Sequence, residues 1–125
     1  MDVGAMALRI TKKFEFSASH QLTGLPDGHQ CARLHGHNYV VELELGAAVA
    51  DLTRTGFVRD YGDLSIFKTW IDKTIDHQHL NDIITDNPTA EHLAMWIYNH
   101  WVQDFPELTS VRISETPKTW AEYRP

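Results

Sequence analysis

From Leu8 to Ala18 apolar and polar positions alternate. Ile10, Phe14, Phe16 and Ala18 fall on one face and Thr11, Lys13 and Glu15 on the other, which predicts a strand with one buried side. Gly24, Pro26, Asp27 and Gly28 mark the following stretch, 21–30, as a loop. Alternation resumes from Tyr39 to Leu45, with Val41, Leu43 and Leu45 set against Glu42 and Glu44, and the residues from His35 onward read as the head of that strand. Residues 47–55 read as a turn and 56–60 as a short extended segment. From Tyr61 to Ile75 the spacing changes to three and four: Leu64, Phe67, Ile71 and Ile75 predict a helix, with Asp63 as its N-cap. Residues 76–88 are polar and irregular. Pro88 or Thr89 opens a second helix with Leu93, Trp96, Ile97, His100 and Trp101 on its apolar face, and Pro106 ends it. Glu91 lies in its first turn, where a carboxylate suits the helix dipole and serves as a capping group. Leu108–Glu115 and Thr119–Tyr123 read as closing strands. Strands at both ends with two helices between them predict an α+β fold with an antiparallel sheet.

Composition narrows this picture. A chain of 125 residues, 42% hydrophobic, predicts a single domain over residues 1–125, of a size that often gains stability by oligomerising. The net charge of -6 and the lack of a basic run argue against nucleic acid as a partner. No apolar stretch approaches the roughly 18 residues of a membrane span, so no membrane partner is expected. The first residues lack a signal-peptide pattern, and residues 1–7 read as a ragged start. One cysteine cannot form an intrachain disulfide, which fits a cytoplasmic location.

The eight histidines then draw attention, and position must sort them. His35 and His37 stand two apart at a strand head, so they share a face about 6.6 Å apart along the strand, while Gly36 leaves the opposite face empty. Two imidazoles so placed can converge on one zinc ion. His20, at the end of the first strand, is the natural third ligand if the two strands pair. The blander reading is a polar pair on a solvent-facing side. Cys31 reads either as a small buried hydrophobe or, beside a cation, as a thiolate able to act as ligand, nucleophile or base. Asp76-His77 is either a general acid/base dyad or an ordinary polar loop pair. Glu115, at a strand end, can accept two parallel N–H bonds from an amidine-like edge or remain a solvated charge.

Taken in order, Phe16-Ser17-Ala18-Ser19-His20, Cys31 with His35-Gly36-His37-Asn38-Tyr39, Val58-Arg59-Asp60-Tyr61-Gly62-Asp63-Leu64, Leu80-Asn81, Asn87-Pro88-Thr89-Ala90-Glu91 and Ser114-Glu115-Thr116 resemble the 6-pyruvoyl-tetrahydropterin synthase family. The three residues between Cys31 and His35 are more similar to its bacterial branch, the 6-carboxy-tetrahydropterin synthases of queuosine (7-deazapurine) biosynthesis. The resemblance implies the tunnelling fold, a four-stranded antiparallel sheet with two helices on one face between strands two and three. It implies a homo-oligomer, a hexamer built as a dimer of trimers with active sites between subunits. It also implies Zn2+ on His20, His35 and His37, Cys31 as the proton-abstracting base, and Asp76 and His77 as acid/base partners from a neighbouring subunit. Glu115, helped by Thr89, would anchor the pterin. The implied substrate is 7,8-dihydroneopterin triphosphate, its side chain polarised by zinc. The products would be 6-carboxy-5,6,7,8-tetrahydropterin, acetaldehyde and triphosphate. No Gly-rich dinucleotide fingerprint is present, in keeping with an internal redox shift that needs no nicotinamide. Lys12, Lys13, Arg33 and Lys118 are candidate triphosphate cations. Rival readings are a pyruvoyl synthase or aldolase, a zinc hydrolase, and a non-catalytic metal-stabilised pterin-binding oligomer.

Overall fold

Two long strands, β1 (Leu8–His20) and β2 (His35–Ala47), form the spine of the computed structural model, which describes residues 6–125. Residues 1–5, part of the start expected to be ragged, lie outside the described residues. The strands pair antiparallel over their full length, from Leu8 opposite Ala47 to His20 opposite His35. The pairing therefore carries both strands past the apolar runs that announced them, and ends on two histidines facing each other across the ladder.

Beyond β2 the sheet continues with β4 (Leu108–Thr116) and β5 (Thr119–Tyr123), both antiparallel to their neighbours. Along the other edge of β1 runs β3 (Gln78–His79), parallel, with Gln78 opposite Ala18 and His79 opposite Ser19. The sheet order is β3-β1-β2-β4-β5, so the four-stranded, wholly antiparallel expectation is corrected to five strands. Two residues carry no readable periodicity; β3 exists because the chain is tied to the β1 edge. The His77 N–H donates to the Ser17 carbonyl at 2.6 Å, and the Ser17 N–H donates to Asp76 Oδ1 at 2.9 Å.

The helices are α1 (Ser65–Thr74) and α2 (Ala90–Trp101). The segment Tyr61–Leu64, expected as the first turn of α1, is a 3-10 turn, and its cap is Asp60, not Asp63: Asp60 Oδ1 accepts from the Gly62 N–H at 2.9 Å. Thr89 caps α2, its Oγ1 accepting from the His92 N–H at 3.1 Å, while Glu91 stays exposed in the first turn. Phe67 and Ile71 of α1 and Leu93 and Ile97 of α2 pack with Phe14, Phe16, Val41, Leu43, Val111 and Ile113 of the sheet in one continuous core. Phe67 meets Phe14 edge-on, centroids 4.9 Å apart; truncating a phenylalanine so buried costs about 3–5 kcal/mol.

On the opposite sheet face, Glu42 and Glu44 are buried rather than solvated. Arg112 covers Glu42 (3.0 Å) and Arg124 grips Glu44 through both terminal nitrogens (2.5 and 3.0 Å). The Arg124 guanidinium holds the Glu44 carboxyl below the usual carboxylate range.

Candidate active site

The β1–β2 register brings His20, His35 and His37 to the end of the core, on the side of the sheet that faces the helices. His20 is fully buried; the other two are half-buried. One ring nitrogen from each can be drawn into a cluster whose atoms all lie within 4.8 Å of one another.

Hydrogen bonding fixes how two of these rings present themselves. His20 Nδ1 lies 2.7 Å from the Pro88 carbonyl, and His35 Nδ1 lies 2.6 Å from the Arg33 carbonyl. A carbonyl only accepts, so each Nδ1 carries the proton and each Nε2 is a bare lone pair. The two Nε2 atoms nevertheless stand 2.9 Å apart. Two lone pairs at that distance repel unless a cation or an added proton lies between them. Burial opposes the proton: desolvation pushes the proton affinities of His20 and His37 down, against the opposing pull of Glu115. The donor set therefore fits a divalent metal, with the backbone carbonyls orienting the ligands from behind. Neither Pro88 nor Arg33 could be foreseen as a partner, because a backbone carbonyl leaves no mark in the sequence. Tyr39, also unforeseen, places its hydroxyl 3.3 Å from His20 Nδ1; burial, aided by Glu115, pushes this phenol's pKa well up.

Glu115 reaches the same cluster, its Oε2 lying 3.1 Å from His37 Nε2 and 3.4 Å from His20 Nε2. It also lines a cavity of about 620 Å³ on the opposite sheet face, together with Glu15, Thr116 and Trp120. Cys31 sits in the 3-10 turn Gln30–Ala32 of the loop leading into β2, half-buried and outside the ligand cluster. Its carbonyl accepts from the Leu22 N–H (3.2 Å), tying that loop to the end of β1.

Asp76 and His77 lie elsewhere, at the β1 edge. Asp76 Oδ2 is 3.0 Å from His77 Nδ1, and the His77 side chain is 81% exposed. The Ser17 N–H and the imidazole hold the Asp76 carboxyl below its ordinary range. His77 has a positive φ of 61°, an uncommon conformation for a residue with a side chain, which turns it out of the strand path. His77, His79 and His37 all line a second cavity of about 600 Å³. Thus the three histidines and Glu115 come together, Asp76 and His77 form a separate pair, and Thr89 sits at the head of α2 with its hydroxyl oxygen engaged in the cap.

Comparison with known proteins gives this geometry a lineage. A 6-carboxy-5,6,7,8-tetrahydropterin synthase of Rickettsia conorii is 30% identical over 143 residues, covering 92% of this chain and 99% of its own. A dihydroneopterin monophosphate aldolase of Pyrococcus furiosus is 30% identical over 101 residues, 81% of either chain. The structure of Caenorhabditis elegans 6-pyruvoyl tetrahydropterin synthase superposes with a TM-score of 0.80 at 26% identity, covering 94% of this chain and 95% of that one. The sequence model of the 6-pyruvoyl tetrahydropterin synthase family matches residues 9–125, and with the matching fold and histidine cluster the chain belongs to that family.

Proposed function

We propose that this protein is a zinc-dependent 6-carboxy-5,6,7,8-tetrahydropterin synthase. It converts 7,8-dihydroneopterin triphosphate to the 6-carboxy product with release of acetaldehyde and triphosphate, in the cytoplasm, as a step of queuosine biosynthesis. The observation that carries the proposal is the facing pair of bare Nε2 atoms on His20 and His35, with His37 alongside. The relatives named as carboxy synthases, and the three-residue spacer between Cys31 and His35, support this branch.

His20, His35 and His37 would hold the zinc, which when bound would supply Lewis-acid polarisation of the substrate's side-chain oxygens. Glu115 accepts the 2-amino and N3 hydrogens of the pterin as a charge-assisted pair, and Thr89 supports that end of the site. Cys31 takes a carbon-bound proton as thiolate. Asp76 accepts from His77 Nδ1, which leaves His77 Nε2 to pick up and return protons. The family resemblance implies a homo-oligomer, a hexamer made of two trimers, in which this dyad serves the site of a neighbouring subunit, and the exposure of the His77 side chain is compatible with that role. The aldolase relative supports a second reading, cleavage of a dihydroneopterin-type side chain without ring reduction.

The test is product analysis. Zinc-loaded protein incubated with 7,8-dihydroneopterin triphosphate should yield 6-carboxy-5,6,7,8-tetrahydropterin and acetaldehyde by mass spectrometry. A pyruvoyl product, or a hydroxymethyl pterin, would replace this reading by one of its relatives. Cys31→Ala should keep zinc and lose turnover; a fully active Cys31→Ser would point instead to a metal-hydroxide hydrolase.

A further inference from the structure

The pterin edge and the histidine cluster make competing demands on Glu115. A pterin carries its 2-amino and N3 hydrogens at one end of the bicyclic ring and its side chain at the other. A carboxylate that holds the first end, while the second end meets the histidines, stands a ring's length away from them. In this structure Glu115 stands among them: its Oε2 lies 3.1 Å from His37 Nε2 and 3.4 Å from His20 Nε2. Donor atoms that share one tetrahedral zinc, with bonds of about 2.0–2.1 Å, stand roughly 3.3 Å apart.

The hydrogen bookkeeping points the same way. His20 carries its proton on Nδ1, so its Nε2 faces a bare nitrogen on His35 and an acceptor oxygen on Glu115 and gives a hydrogen to neither. His37 relieves part of this crowding in the metal-free protein, where its Nε2–H donates to Glu115. Among the described residues no carbonyl fixes the His37 Nδ1, unlike those of His20 and His35, so this ring is able to change tautomer. Moving its hydrogen to Nδ1 leaves three imidazole nitrogens and a carboxylate oxygen clustered with only a cation to satisfy them.

Glu115 is also the member of this set with the freedom to leave. Its close contacts within the cluster, among the described residues, are with His20 and His37 and not with His35. The β2–β4 ladder ends at Val40 opposite Ser114, one residue short of it, and the β4–β5 register shifts between Ile113 and Thr116, across it. Irregularities of this kind re-aim side chains beside functional sites. The Glu115 side chain is 26% exposed where that of His20 is 0%. Glu42 and Glu44, on the same sheet, are each held by an arginine. Among the described residues no lysine or arginine holds Glu115.

We propose that Glu115 is a fourth, exchangeable metal ligand: in the substrate-free protein its carboxylate completes the set that His20, His35 and His37 begin, and the pterin edge draws it away and opens the site. The opening rests on Glu115 also being the pterin anchor, as proposed above; the ligand role rests on the geometry of the cluster.

Cobalt(II) in place of zinc tests this without turnover, because its visible d–d bands report the donor set. Glu115→Gln keeps the shape of the side chain and removes its charge. The bands of the substrate-free variant should differ in position from those of the parent, and its zinc affinity, by competition with a chromogenic chelator, should fall at least about tenfold. Pterin without a side chain offers the 2-amino and N3 edge alone. It should shift the parent's bands to those of the variant and leave the variant's own bands unchanged; a shift in both would mean direct chelation by the pterin and would overturn the exchange. Identical bands in parent and variant, with cobalt and fold retained, would overturn the ligand role and leave Glu115 as the hydrogen-bond partner of His37. Bands that differ between the two proteins, with pterin binding equally to both by calorimetry, would support the ligand role while refuting the pterin anchor and with it the exchange.

Discussion

The inner face and the outer edge of β1 treat their chemical groups in opposite ways. On the inner face, His20 is wholly buried, its Nδ1 committed to Pro88 and its Nε2 set against His35, so the arrangement of the proposed ligands comes from one chain. At the edge, Asp76 and His77 are a neat pair whose imidazole projects into solvent. Burial makes the histidine face poorly tolerant of charge; the dyad instead borders open cavities at the β1 edge. The difference separates two jobs. Ligands must be preorganised at fixed spacing, whereas a proton carrier needs only a fixed tautomer and access to the substrate.

The largest expected effect breaks this comparison at the metal face. His20→Ala should leave no stoichiometric zinc after gel filtration and no turnover, because it removes a ligand and also leaves the Pro88 carbonyl without its donor. Asp76→Asn should do the reverse, retaining zinc at full occupancy while turnover falls by roughly 10²–10⁴-fold. Metal analysis and kinetics on the same two preparations check both. If Asp76→Asn also emptied the metal site, the two sides of β1 would not be independent.

The contrast also explains what the sequence could disclose. The two-residue spacing of His35 and His37 was enough to put them on one face, but not to say which face. That was decided by Tyr39, Val41 and Leu43, in phase with them and buried against the helices. The strand pairing that delivers His20 followed from two alternating runs joined by a Gly- and Pro-containing loop, and both helices were legible in the spacing of Phe67, Ile71, Leu93 and Ile97. The helix start at Tyr61 was misplaced because Leu64 continues the apolar phase through a 3-10 turn. Glu42 and Glu44 were correctly set opposite the core, but their burial depends on Arg112 and Arg124, far along the chain. β3 was invisible, and so was the service of Asn81 and Asn87. Each of these amides bonds both backbone groups of one residue beyond β1, Asn81 to Gln21 (2.9 and 2.8 Å) and Asn87 to Thr23 (2.9 and 3.1 Å). Side chains that stand in for a strand leave no period to read.

A smaller effect separates the two sides by pH. His20 and His37 have folded-state pKa values below their ordinary 6.5, chiefly through desolvation. Between those lowered values and 6.5 the unfolded chain binds more protons than the folded one, so stability rises with pH through that window. Metal-free protein should therefore lose stability as pH falls from 6.5, whereas bound metal should be released only further down, below the lowered values, where the folded histidines themselves take up protons. Asp76 responds later: its value is lowered from 3.8, chiefly by the Ser17 N–H, so its contribution is complete above 3.8 and lost as pH falls below it. Denaturant midpoints against pH, for the parent and Asp76→Asn, should differ in shape only in the acidic window. A difference near pH 6 that persisted in Asp76→Asn/His77→Gln, where the partner imidazole is gone as well, would mean that the dyad and the histidine face titrate together.

The smallest effect tests a residue that belongs to neither side, at the head of α2. Thr89 caps the helix through its Oγ1, and the adjoining Pro88 carbonyl orients His20. Thr89→Ala should cost about 1 kcal/mol of stability as a lost cap. Thr89→Ser, which keeps the hydroxyl, should restore it. If the hydroxyl also donates to the pterin, Thr89→Ala should raise KM several-fold while Thr89→Ser leaves it unchanged, and zinc occupancy should stay constant in both. Loss of stability without any change in KM would confine Thr89 to the cap and leave Glu115 alone in holding the pterin edge.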